Sequence, residues 1–174
     1  MKFINLAFFA CAVLLAACSP APAPQETLKT LRYDEAIVTF APDAREAVSR
    51  EVDEALFGAR LSEGIKKALS GFAGERSARV ELKVDFYTLP SGASSLVPFA
   101  TTVPTVIGEL SLSDAQTGAP IGEATTFGAN YASSGGIFFG SGVISDVDEQ
   151  MKQIVDEVAK EVRKRLSEKA PASS

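Results

Sequence analysis

Between Ser77 and Thr88 the chain alternates without a break. Ala78, Val80, Leu82, Val84, Phe86 and Thr88 fall on one side, and Arg79, Glu81, Lys83, Asp85 and Tyr87 on the other. Period two is the side-chain spacing of a strand, and a helix would mix the two sets. Charge along one face predicts a sheet packed on one side and wet on the other. Thr105 to Ser113 repeats the pattern, with Val106, Gly108, Leu110 and Leu112 opposing Glu109, Ser111 and Ser113. Asp114-Ala115-Gln116-Thr117-Gly118 then has turn chemistry, because Asp bonds the backbone ahead of it and Gly accepts a positive φ. Ile121 to Tyr131 returns as the partner strand, with Glu123, Thr125, Phe127, Ala129 and Tyr131 on one face. Together these segments predict a hairpin.

The flanking segments supply the second layer. Arg32 to Phe40 is a strand candidate carrying Ile37, Val38 and Phe40. Pro42-Asp43 opens a helix in which Ala44, Val48, Val52 and Leu56 recur at every fourth position. Gly58 interrupts that stripe, and Leu61, Ile65 and Leu69 resume it before Ser70-Gly71, so the pattern reads as one kinked helix or two short ones. Arg45, Glu46, Arg50, Glu51 and Glu54 make its solvated face. In the last helix, Ser145 and Asp148 have capping-box spacing, and Val147, Met151, Ile154, Val155, Val158, Val162 and Leu166 form the apolar stripe. Asp146, Asp148 and Glu149 at its start and Arg163, Lys164 and Arg165 near its end suit the helix dipole. The order β-α-β-β-β-α predicts a single α+β domain, an antiparallel-rich sheet with helices packed on one face.

The chain begins Met1-Lys2, followed by a run from Phe3 to Ala17 whose only strongly polar member is Asn5. That run is too short for a spanning helix, which needs about 20 apolar residues, and reads as a secretory signal. Leu15-Ala16-Ala17-Cys18 resembles the bacterial lipobox. The resemblance implies a diacylglyceryl thioether on Cys18, cleavage before it and N-acylation after it. It also implies that Ser19 at the next position permits export to the outer membrane. Ser19-Pro20-Ala21-Pro22-Ala23-Pro24-Gln25 alternates proline with small residues and predicts an extended tether of roughly 20–30 Å. The expected organisation is a signal at 1–17, lipidated Cys18 and tether at 18–29, a periplasmic domain at 30–168 and a disordered tail at 169–174.

Composition narrows the chemistry. The chain has no histidine and no tryptophan. Ser-His and Cys-His nucleophiles and imidazole-ligated zinc are therefore excluded. Cys11 leaves with the signal and Cys18 carries lipid, so no thiolate remains, and no metal or cofactor is expected. The net charge of −5 becomes one unit more acidic once Lys2 is removed. Such a balance argues against nucleic acid and against anionic lipid as electrostatic partners, and leaves membrane contact to the lipid anchor. Gly135, Gly136, Gly140 and Gly142 do not match a dinucleotide fingerprint, and no Gly-Lys-Ser/Thr follows them. An enzyme is not expected.

Two connections are long and apolar. One runs from Leu89 to Pro104 and carries Leu96, Val97 and Phe99; the other, Ser133 to Gly142, carries Ile137, Phe138 and Phe139. Loops beyond about 12 residues in a compact domain are functional or disordered, and disordered ones are polar. These six residues are the candidate interaction surface; the alternative is that they tuck under the domain as a satellite core. Residues 30–168 are similar to uncharacterised proteobacterial lipoproteins of unknown function, in element order, in the Asp114–Gly118 turn and in the glycine-rich run before a final amphipathic helix. Related periplasmic domains occur in the amino-terminal part of the Tol-system translocation protein and in the curli secretion lipoprotein. The chain departs from the curli channel in lacking a long pair of amphipathic barrel strands. The expectation is an outer-membrane-anchored periplasmic lipoprotein acting as a protein-interaction module in envelope maintenance or assembly. The alternative is a carrier or sensor of a lipid or other apolar ligand.

Overall fold

The computed structural model describes residues 28–47, 49–91, 103–131 and 146–167. The elements are β1 (Leu31–Phe40), α1 (Glu54–Leu69), β2 (Arg76–Thr88), β3 (Thr105–Asp114), β4 (Thr125–Asn130) and α2 (Val147–Ser167). The strands form one sheet in the order β1-β2-β3-β4. β1 and β2 are parallel, joined across α1, while β2–β3 and β3–β4 are antiparallel. Both helices cover the same face, which is the expected α+β architecture. Val80, Leu82 and Val84 of β2, Phe127 of β4, Leu61 and Ile65 of α1, and Ile154, Val158 and Val162 of α2 meet in its core.

Local chemistry sets three boundaries differently from the sequence pattern. The first helix does not open at Pro42-Asp43. Residues 41–47 and 49–50 run along the end of β2, with Ala41 N donating to Val84 O (2.8 Å), Tyr87 N to Ala44 O (2.6 Å) and Arg50 N to Leu89 O (2.9 Å). Backbone groups committed to β2 cannot close helical turns. α1 starts at Glu54, where Asp53 Oδ1 accepts from the N–H groups of Ala55 (2.9 Å) and Leu56 (3.3 Å). Its inner stripe is therefore Phe57, Leu61, Ile65 and Leu69, while Leu56 is 46 % exposed. Gly58 does not interrupt this helix. A Cβ there would lie 3.2 Å from the Phe40 ring, so Gly58 lets β1 approach closely.

β-Bulges account for the second departure. The β1–β2 register shifts between Tyr33 and Glu35, which leaves Leu31, Tyr33 and Ala36 buried and Ile37 36 % exposed on the open face. The β2–β3 register shifts between Val84 and Phe86. Past that point the faces exchange, because an extra residue in one strand inverts every later side chain. Tyr87 thus lies in the core at 1 % exposure, and Phe86 turns toward the open face.

The hairpin forms with a shorter return strand than Ile121–Tyr131. Asp114 Oδ1 accepts from Gln116 N (3.0 Å) and Thr117 N (2.9 Å), and Gly118 takes φ +71°. Ser113 pairs with Pro120, whereas Leu110 pairs with Thr125, so the returning chain carries extra residues around Gly122. Glu123 and Thr125 are consequently exposed, and Phe127 and Ala129 hold the inner face. The expected stripe of α2 is buried at Met151, Ile154, Val155, Val158, Val162 and Leu166. Asp146 stands at its start, accepting from Val147 N through Oδ1 (2.7 Å) and from Gln150 N through its carbonyl (3.0 Å). Ser145 lies outside the described residues.

Candidate functional site

Topology collects the roots of both apolar connections at one end of the sheet. β2 ends at Thr88, which pairs with Thr105 at the start of β3, and Thr105 pairs with Asn130 at the end of β4. α2 begins at the same end, where Gln150, 4 % exposed, donates from Nε2 to the Pro90 carbonyl (3.1 Å). Tyr131 N donates to Pro104 O (2.9 Å). The connection after Ser91 and the connection after Tyr131 therefore leave from, and return to, neighbouring points. Leu96, Val97, Phe99, Ile137, Phe138 and Phe139 themselves lie outside the described residues, as does Cys18.

The base of this end is braced. Leu89 N donates to Ser49 Oγ (2.9 Å), and Arg50 Nε to Pro90 O (3.1 Å). Beneath the brace Phe40, Phe57 and Tyr87 form a ring cluster with centroids 5.5–5.8 Å apart. The Tyr87 hydroxyl donates to Glu54 (3.0 Å), and burial together with that carboxylate raises its pKa well above the ordinary phenol value. Ser49, Arg50 and Gln150 were not legible as braces. Arg50 belonged to the expected solvated helix face, and nothing in the composition of α2 marks Gln150 as buried. The useful signal was Asp53, a capping residue standing four positions before Phe57 at the head of the true stripe.

The opposite end receives the N-terminal segment. Leu31 pairs with Arg76 at the start of β2, and the Tyr33 hydroxyl donates to Leu28 O (2.9 Å), which ties residue 28 to the sheet. The Tyr33 phenol is also shifted strongly upward by desolvation. β2 has 13 residues and, at about 3.3 Å each, separates the two ends by roughly 40 Å.

The uncovered sheet face carries polar rows. Arg79 Nε donates to Glu35 (2.6 Å), Ser113 Oγ to Glu81 (2.7 Å), and Lys83 pairs with Asp85 (3.1 Å). A shallow depression on this face is lined by Ile37, Thr39, Glu81, Lys83, Glu109, Ser111 and Ala124. Three of these seven side chains, Glu81, Lys83 and Glu109, are charged. Among the described residues no group of three His, Cys, Asp or Glu side chains is placed to hold a metal, and no helix is long and apolar enough to cross a membrane.

No protein-family model matches the sequence, and no curated protein matches it. Solved structures with related backbones include a candidate lipoprotein from Caulobacter crescentus CB15, 15% identical, covering 82% of this chain and 91% of its own, with a TM-score of 0.38. The PelC dodecamer from Paraburkholderia phytofirmans is 15% identical over 83% of this chain and 90% of its own, with a TM-score of 0.39. An uncharacterised protein is 12% identical over 83% and 92%, with a TM-score of 0.40. At these identities and scores the likeness assigns no function.

Proposed function

We propose that the chain is a lipid-anchored envelope lipoprotein whose domain is a protein-interaction module, held to the outer membrane through Cys18 and presenting its apolar connections to a protein partner. The observation that supports it is the separation of ends. The tether joins at Leu28–Leu31, and the roots of both apolar connections stand at the other end of β2, roughly 40 Å away. A surface so placed reaches a protein in the periplasm more readily than the bilayer carrying the anchor. The depression on the open face is shallow and carries Glu81, Lys83 and Glu109 among its seven lining residues, which gives the carrier reading little support.

The test uses photocrosslinking from single sites in cells. A crosslinker at Phe138 is expected to give discrete protein adducts, whereas one at Lys66, near the tether end, gives none of the same size. Phe138→Ser with Phe139→Ser should abolish the adducts formed from a crosslinker at Phe99 and leave the thermal midpoint within a degree or two. A strongly destabilised double variant would show that these aromatics pack in the domain's own core and would remove the interaction reading. Lipid retained by the purified protein on native mass spectrometry, without protein adducts, would favour the carrier.

A further inference from the structure

The net charge of −5 averages over a polarised molecule. Both helices run from the apolar-connection end toward the tether end, because each follows a strand that points the other way. Their first turns carry Glu54, Asp148 and Glu149, with Asp53 and Asp146 just ahead of them. Their last turns carry Lys66, Lys67, Lys164 and Arg165. Dipole complementarity explains each helix separately. Parallel alignment of the two helices adds their charge patterns; Arg60 offsets Asp148 (2.9 Å), and the remaining acids leave one end of the domain acidic and the other basic.

At the basic end the parts are contiguous. Arg163 donates to the Ala68 carbonyl in the last turn of α1, and its guanidinium stands 5.8 Å from the Phe72 ring centroid. Phe72 packs edge-on against Tyr33, whose hydroxyl holds Leu28, and Lys29 follows. Lys29, Lys66, Lys67, Arg163 and Lys164 are all exposed. Some charges of this end are engaged locally, with Arg76 on Asp114 (2.8 Å), Arg165 on Glu161 (2.9 Å) and Lys164 also partnered, and Glu75 opposes the remainder, which is led by Lys29, Lys66, Lys67 and Arg163. The surplus is cationic, and the chain enters the domain through it.

We infer that this basic end is a docking surface for anionic lipid headgroups, which stands the domain upright on the membrane with its apolar-connection end directed away. The membrane is chosen over other anions by continuity. Residues 18–27, the stretch read as the tether, join the domain beside Lys29, so an anchor on Cys18 would keep these cations within the tether's reach of roughly 20–30 Å, from which they can settle onto the bilayer surface. A polybasic patch next to a lipid chain is a recognised second signal, and its contribution decays within a Debye length. The inference rests on the anchor reading for its geometry.

The mature, lipidated protein is reconstituted into vesicles of phosphatidylethanolamine alone or mixed with phosphatidylglycerol. An amine-reactive reagent is then applied, and lysine modification is read by mass spectrometry. Modification of Lys29, Lys66, Lys67 and Lys164 is expected to fall severalfold on the anionic vesicles. It should recover in 1 M salt, where the Debye length is about 3 Å. Lys83 on the open face and Lys152 early in α2 serve as internal references and should not change. Equal modification of the basic-end lysines on both vesicles overturns the inference, as does equal protection of the reference lysines. Flotation keeps the anchor reading separate, since a lipidated chain floats with both vesicle types. A chain that fails to float with the neutral vesicles refutes the anchor whatever the labelling pattern.

Discussion

At the scale of the residue, face assignment is the quantity that alternation makes readable, and it can be tested one side chain at a time. Leu82 is 1 % exposed, and its neighbour Glu81 lies on the open face with one carboxylate oxygen accepting from Ser113 (2.7 Å). Deleting a buried leucine side chain costs about 2–5 kcal/mol through lost transfer energy and the cavity left behind. That is a large part of the 5–15 kcal/mol by which domains are typically stable. Leu82→Ala should therefore lower the denaturant midpoint strongly, with an unchanged slope. Glu81→Ala gives up only a partly solvated hydrogen bond and should move the midpoint little. Equal shifts would mean that β2 is misregistered.

At the scale of the element, the hairpin turn concentrates its stability in one carboxylate. Thr117 N–H, the Arg76 guanidinium and Gln116 N–H all donate to Asp114 and hold its pKa well below the usual carboxylate range. A pKa lower in the folded than in the unfolded state means stability that is present above the unfolded value, about 3.9, and lost as pH falls through the folded one. Asp114→Asn keeps an acceptor for the two amides but loses the ion pair with Arg76. Its thermal midpoint should lie below the wild type at pH 7, and the gap should close as the pH is lowered below about 4. A gap that is constant with pH would assign the effect to the turn's shape alone. This turn was fully legible, because Asp and Gly sit at the two positions whose chemistry defines it. The bulges at Asp34 and Asp85 were not. An inserted residue leaves the alternating letters intact while inverting the faces, so Tyr87 reads as solvent-facing until the register with β3 is known. The segment from Pro42 to Val52 misled for the converse reason. Ala44 and Val52 repeat at helical spacing, yet the backbone there is hydrogen-bonded to β2, a partner that no local pattern announces. Of the candidate site, the sequence marks the apolar residues themselves, and only the topology shows that their attachment points share one end.

At the scale of the whole molecule, three separate patterns share one axis: the chain enters at one end of the sheet, the apolar connections leave from the other, and charge changes sign between them. Such alignment has a consequence only if the first end is fixed in space, and Cys18 is the residue on which the proposed function depends for that. The lipobox resemblance implies that cleavage follows thioether formation on this sulfur. Cys18→Ala should thus leave an unprocessed precursor that retains Met1–Ala17 and stays with the inner membrane. In cells fed a labelled fatty acid, the wild-type chain should carry label and migrate faster than the variant. The domain itself should be unaffected, since the substitution lies outside the packed core, which runs from Leu28 to Leu166 among the described residues. Equal denaturant midpoints for the two forms are therefore expected. Should the variant be cut to the same size as the wild type, carry no label and still float with membranes, then Cys18 is not the anchor. In that case the basic end would be the surface to examine for what holds the protein there.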